Sequence, residues 1–73
     1  MQEYFFTIYL TYDQCMQYYQ GNIKYIQVTE DTGKRIRFPA VHIRKFVSSL
    51  GIRGRFRLCL DGQNGFVSLE KIT

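Results

Sequence analysis

The sequence predicts a small α+β domain in which a mainly antiparallel sheet packs against two short helices, in the order β-α-β-β-α-β-β. Three observations carry this. Strand-like runs rich in β-branched, aromatic or alternating residues occupy Glu3–Leu10, Ile23–Thr29, Lys34–Phe38, Arg53–Leu60 and Phe66–Ile72. Two intervening segments, beginning at Thr11 and Pro39, switch to helical spacing and carry helix start and stop residues. Glu30–Gly33 and Asp61–Gly65 hold the Gly, Asp and Asn of tight turns, so neighbouring strands pair as local hairpins.

Glu3–Leu10 places Tyr4, Phe6, Ile8 and Leu10 on one face and Phe5, Thr7 and Tyr9 on the other. Both faces are largely apolar, which predicts a central strand or a face held by a partner. Thr11 and Gln14 have the spacing of a capping box, and Gly21 suits the residue after a helix end. The predicted helix is Tyr12–Gln20, with Tyr12, Cys15, Met16 and Tyr19 inward. Ile23–Thr29 then turns at Glu30-Asp31-Thr32-Gly33 into Lys34–Phe38, where Ile36 and Phe38 oppose Arg35 and Arg37.

Pro39 suits the first position of the second helix, since its missing N–H costs nothing there. Ile43, Phe46, Val47 and Leu50 follow i, i+3, i+4, i+7 and form the expected buried stripe. His42, Lys45 and Ser49 lie on the polar side. Gly51 stops this helix, with Ile52 folding back on its last turn. In Arg53–Leu60, Phe56, Leu58 and Leu60 point to the core while Arg53, Arg55, Arg57 and Cys59 point away. Phe66–Ile72 pairs back on this strand.

The whole chain, residues 1–73, makes one domain. A domain of this size buries only about 60% of its unfolded surface. Six Tyr and six Phe supply enough apolar area for a core. No run approaches the roughly 20 apolar residues of a membrane span, and Met1-Gln2-Glu3 lacks the features of a signal peptide, so a cytoplasmic location is expected. Cys15 and Cys59 read as reduced core or near-core thiols.

Charge is segregated. Lys34–Leu60 holds eight of the ten Lys and Arg residues and no acid, within a net charge of +4. If the third and fourth strands are neighbours, Arg35, Arg37, Arg53, Arg55 and Arg57 form one basic sheet face, with Lys45 on the nearby helix. Such a face suits nucleic acid or another polyanion. The competing reading is a solvated face whose arginines pair with Glu3, Glu30 or Glu70. A separate expectation is protein interaction or homodimerisation, because all six tyrosines fall in the first 25 residues and Glu3–Leu10 is apolar on both faces.

Other chemistries find little support. Gly51-Ile52-Arg53-Gly54 has the G-x-x-G form of a KH loop, but a strand rather than a helix follows it. Arg53-Gly54 starts like an RRM motif, yet Arg55 and Arg57 stand where stacking aromatics belong. His42 is the only histidine, so no metal site and no cofactor are expected. No P-loop, dinucleotide fingerprint or nucleophile elbow is present, and the protein is expected to be non-enzymatic.

Arg35–Val47 (RIRFPAVHIRKFV), Gly51–Leu58 (GIRGRFRL) and Phe66–Ile72 (FVSLEKI), with Tyr18-Tyr19-Gln20-Gly21 in the front part, together resemble the domain of unknown function 2835 family. These are short proteins found chiefly in marine and related gammaproteobacteria. The resemblance covers nearly the whole chain and implies a stand-alone bacterial domain. It implies no activity, substrate or site residues.

Overall fold

Two nine-residue strands form the frame. In a computed structural model that describes residues 1–21 and 23–73, β1 (Gln2–Leu10) pairs antiparallel with β4 (Ile52–Leu60) along its full length, from Gln2 opposite Leu60 to Leu10 opposite Ile52. β5 (Phe66–Lys71) joins the other edge of β4 through the Asp61–Gly65 turn, with a register shift at Cys59/Leu60. β2 (Tyr25–Thr29) and β3 (Arg35–Pro39) form a separate antiparallel hairpin. The sheet orders are β1-β4-β5 and β2-β3.

The hairpin docks against the free edge of β1. The Asp31 N–H donates to the Phe5 carbonyl at 2.8 Å, and beyond this bond β1 and β2 diverge around an open groove. The chain therefore resembles one curved sheet, β5-β4-β1-β2-β3, wedged open between β1 and β2. Strand alternation then puts Phe6, Ile8, Ile26, Ile36, Phe38, Phe56, Leu58 and Leu69 on the concave side, where all are buried.

Two helices cover that side. α1 (Tyr12–Tyr19) starts at Thr11 with the expected capping box: the Gln14 N–H donates to Thr11 Oγ1 at 3.2 Å, and the Thr11 N–H to Gln14 Oε1 at 2.9 Å. Cys15 enters the core, with Met16 and Tyr18 packed around it, whereas Tyr12 and Tyr19 are exposed. The inward stripe is thus shifted from the expected one, because the helix lies with Cys15 and Tyr18, three residues apart, toward the sheet. Cys15 and Cys59 are buried free thiols; burial pushes the Cys15 thiol up, against a backbone hydrogen bond at Ile52.

The second helix departs most from expectation. Pro39 is the last residue of β3, with extended dihedrals, and Ala40–Phe46 winds as a 3-10 helix. Ala40, Ile43 and Phe46 recur every third residue, which is the period of a 3-10 helix; Ala40 and Ile43 are buried. Pro39 costs the hairpin nothing, because the hydrogen-bonded positions alternate with it: Ala40 N–H donates to Lys24 O and Glu30 N–H to Lys34 O. Arg44 ties this helix to α1, donating to Tyr18 O while its own carbonyl accepts from Tyr19 Oη at 2.7 Å. The chain then straightens at Val47 and turns tightly, with Ser48 paired to Gly51. Leu50, expected in the core, sits 74% exposed at the tip of that turn.

Gly51 ends no helix; it is needed for this turn and for close packing. Its φ is +92°, and a Cβ there meets the Leu10 carbonyl oxygen at 2.1 Å. Gly33 has a φ of +96° but open space around it. Gly51→Ala is therefore expected to destabilise the fold by more than about 3 kcal/mol, adding a backbone clash to the cost of a left-handed residue, whereas Gly33→Ala costs about 1–2 kcal/mol. Urea unfolding of both variants measures the difference; equal losses contradict the packing argument.

The buried Glu30 closes the β2–β3 turn. Its carboxylate accepts from the Thr32 hydroxyl, the Thr32 N–H at 2.6 Å and the Lys34 N–H at 3.1 Å. The Thr32 hydroxyl is the main cause holding the Glu30 pKa below its ordinary value, against burial. A depressed folded pKa contributes stability that is complete above the unfolded value, about 4.3, and is lost as pH falls through the folded one. Glu30→Gln is thus expected to be less stable than the parent at pH 7, with the gap narrowing as pH falls below about 4. Denaturant midpoints across that range measure it; a gap independent of pH refutes the assignment.

Candidate nucleic-acid interface

The convex face of the curved sheet carries all five predicted arginines, but not as one patch. β3 and β4 are not neighbours: β4 lies between β1 and β5, while β3 pairs with β2. The long β1–β4 pairing outcompetes the adjacency expected from the connecting helix, placing two strands between Arg35 or Arg37 and the β4 arginines.

The arginines of β4 fall into three states. Arg57 lies between carboxylates on both neighbouring strands, with Nη1 3.1 Å from Glu3 and Nη2 2.8 Å from Glu70. The Glu70 carboxylate is the main cause raising the Arg57 pKa. Arg55 makes a two-pronged pair with Asp31, one prong at 2.9 Å, and also donates to Thr7 Oγ1 at 3.2 Å. That pair holds the Asp31 carboxyl below its usual range, the hydrogen bond from Arg55 being the main cause. The centre of the face is therefore charge-compensated, with Asp31 as the partner sequence reasoning missed. Glu30 is occupied by its own turn.

Arg53 has no carboxylate partner among the described residues. It lies opposite Tyr9, its guanidinium carbon 4.6 Å from the ring centroid and its N–H donating to the phenol oxygen. Tyr9 is 64% exposed.

Across the groove, the hairpin repeats this arrangement. Arg37 lies 5.0 Å from the ring centroid of Tyr25, which is half exposed. Neither Arg35 nor Arg37 has a carboxylate partner among the described residues. Counting in pairs from the Phe5–Asp31 hydrogen bond brings Tyr9 to the level of Gln27, which pairs with Arg37. The two Arg–Tyr pairs thus stand on either side of the β1–β2 groove, with the strands of Arg53 and Arg37 three spacings, or at least about 14 Å, apart and their tyrosines on the strands that flank the groove.

Lys45 does not belong to this face. It projects from the 3-10 helix on the concave side, 5.2 Å from the Phe46 ring centroid. It adjoins His42, which is not the free surface residue expected: its ring lies flat on Phe66 at 3.5 Å between centroids. Burial, with Lys45 nearby, lowers the His42 pKa. The Phe66 contact spans 24 residues of sequence and has no local signal.

Among the described residues, no group of three or more His, Cys, Asp or Glu converges to hold a metal ion. No helix among them is long and apolar enough to cross a membrane. Gly51-Ile52-Arg53-Gly54 leads into β4, as its alternation requires and a KH loop does not.

No curated protein and no solved structure matches the chain. A family model described as "Protein of unknown function (DUF2835)" matches residues 2–72, from the start of β1 to just beyond β5. The chain therefore belongs to the DUF2835 family.

Proposed function

We propose that the chain is a cytoplasmic, non-enzymatic binding module of bacterial cells whose convex sheet face takes a single strand of nucleic acid. The observation that carries this reading is the repeated pairing of a cation that has no carboxylate partner among the described residues with an exposed ring: Arg53 with Tyr9, and Arg37 with Tyr25. Single strands are bound by basic surfaces that follow the backbone and by aromatic rings on which unpaired bases stack. Arg35 extends the basic side of this surface, and Phe5 adds a third partly exposed ring. The arginines of the two compensated positions, Arg55 and Arg57, already face carboxylates and add little to this surface.

Fluorescence anisotropy with labelled single-stranded DNA and RNA tests the proposal. Three phosphate contacts, by Arg35, Arg37 and Arg53, give a log–log salt slope of about −2 on single strands. Tyr9→Ala is expected to weaken binding by about 1–3 kcal/mol, the range for one stacked base. Arg35→Ala with Arg37→Ala reduces affinity at least about tenfold and flattens the slope, whereas Arg55→Ala with Arg57→Ala has the smaller effect. No binding at low salt, or equal losses in the two double variants, overturns the assignment.

A second reading, self-association, rests on a different surface. Tyr12, Met16, Tyr19 and Val47 line an apolar groove beside the Ser48–Leu50 turn, and Leu50 is 74% exposed there. On this reading sedimentation gives a mass that rises with concentration, and Leu50→Lys returns it to that of the monomer. A monomer mass throughout rejects it.

A further inference from the structure

We infer that the open edge of β3 forms a pocket for a terminal phosphate monoester; this rests on the single-strand reading and names the end group which that strand presents. The pocket lies between β3 and the β4–β5 turn and has a volume of about 190 Å³. A cavity of about 150 Å³ admits a molecule as large as benzene, so there is room for a phosphate group. Ile36 and Leu60, both buried, line its base.

The polar lining is cationic. Lys34 shares the side of β3 that Ile36 faces and lines the space with Tyr4 and Asn64, while Arg35 and Arg37 border it at the strand edge with their side chains on the convex face. None of the three cations has a carboxylate within ion-pair distance among the described residues. Of the two acids nearest in sequence, Asp31 pairs with Arg55, and Glu30 accepts from the Lys34 backbone N–H, not from its ammonium group. Lys34 Nζ instead donates to Tyr4 Oη at 3.2 Å and lies 5.3 Å from that ring centroid. Tyr4 Oη in turn donates to Gln2 Oε1 at 2.8 Å, which aims its lone pairs at the lysine.

The backbone adds donors. Lys24, Glu30, Lys34 and Ala40 make the hairpin bonds that bracket the ladder, so Arg35 and Arg37 turn both their N–H and their C=O groups away from β2, and the open edge offers one N–H at a time to an anion. Lys34 with two arginines bordering the space suits a dianionic phosphate monoester better than a singly charged phosphodiester. Arg35 and Arg37 also belong to the convex face, so an end phosphate in the pocket leads the strand directly onto the Arg37–Tyr25 pair.

Two titrations test this separately from the single-strand reading. In the first, inorganic phosphate is added while backbone amide shifts are followed. The Arg35 and Arg37 amides are expected to shift and saturate in the parent protein but not in Lys34→Met, which keeps the side-chain stem. Shifts spread without saturation over Lys24, Arg53 and Lys71 overturn the pocket. In the second, single strands of one sequence carry a 5′-phosphate, a 3′-phosphate or hydroxyl ends. One phosphorylated end is expected to bind at least about fivefold tighter, and Lys34→Met removes that preference without weakening hydroxyl-ended strands. Equal affinity of all three strands overturns the end-group assignment. Saturable phosphate binding with no strand binding upholds the pocket while refuting the single-strand face.

Discussion

Phe6 joins the two sheets, and the rest of the structure depends on that junction. Its ring packs 6.1 Å from Phe38 of the hairpin and 6.4 Å from Phe56 of the long sheet. Phe46 of the 3-10 helix meets Phe56 edge-on at 5.1 Å. Among the described backbone groups, only the Asp31–Phe5 hydrogen bond links the β1 edge to the hairpin. Apolar burial from Phe6 outward must therefore hold the hairpin in place, since a lone two-stranded hairpin is marginal in water. Where that burial ends, β1 and β2 separate, and the groove between them follows.

The same junction sets the electrostatics. Docking the hairpin tip on β1 brings Asp31 to Arg55, while the β1–β4–β5 order brings Glu3 and Glu70 to either side of Arg57. These pairs are more than one-third exposed, so each contributes little stability. Their larger effect is on the field of the face. They remove the central charges and leave positive potential at its two ends, Arg53 on one side and Arg35 with Arg37 on the other. On the proposed reading, a face with a neutral centre and cations beside exposed rings suits a flexible strand better than a rigid duplex, which needs an unbroken row of phosphate contacts.

Local signals placed most elements correctly where the chemistry is local. The Thr11–Gln14 capping box and the Glu30–Gly33 turn each act within a few residues and stand as expected, as does the alternation of Arg53–Leu60 up to Leu58, beyond which Cys59, expected to face away from the core, is buried as well. The second helix is present but differs in type and length, because Ile43, Phe46, Val47 and Leu50 fit an α-helical stripe while Ala40, Ile43 and Phe46 fit a 3-10 one. Choosing between them required knowing that Gly51 must pass against the Leu10–Tyr12 backbone. That approach fixes the turn and ends the helix early, leaving Leu50 outside.

The sequence by itself determined the α+β class, the strand alternation, the concentration of cations between Lys34 and Leu60, and the family, because each lies in the order of residues along the chain. Tertiary structure alone decided which cations remain without acids. Arg55 and Asp31 are 24 residues apart, and Arg57 and Glu3 are 54 apart. Such pairs follow from strand order and sheet docking, which are set by the competition of whole sheets to bury Phe6, Phe38 and Phe56 together. That competition left Arg35, Arg37 and Lys34 without carboxylate partners among the described residues on an open edge and closed the ion pairs around Arg55 and Arg57.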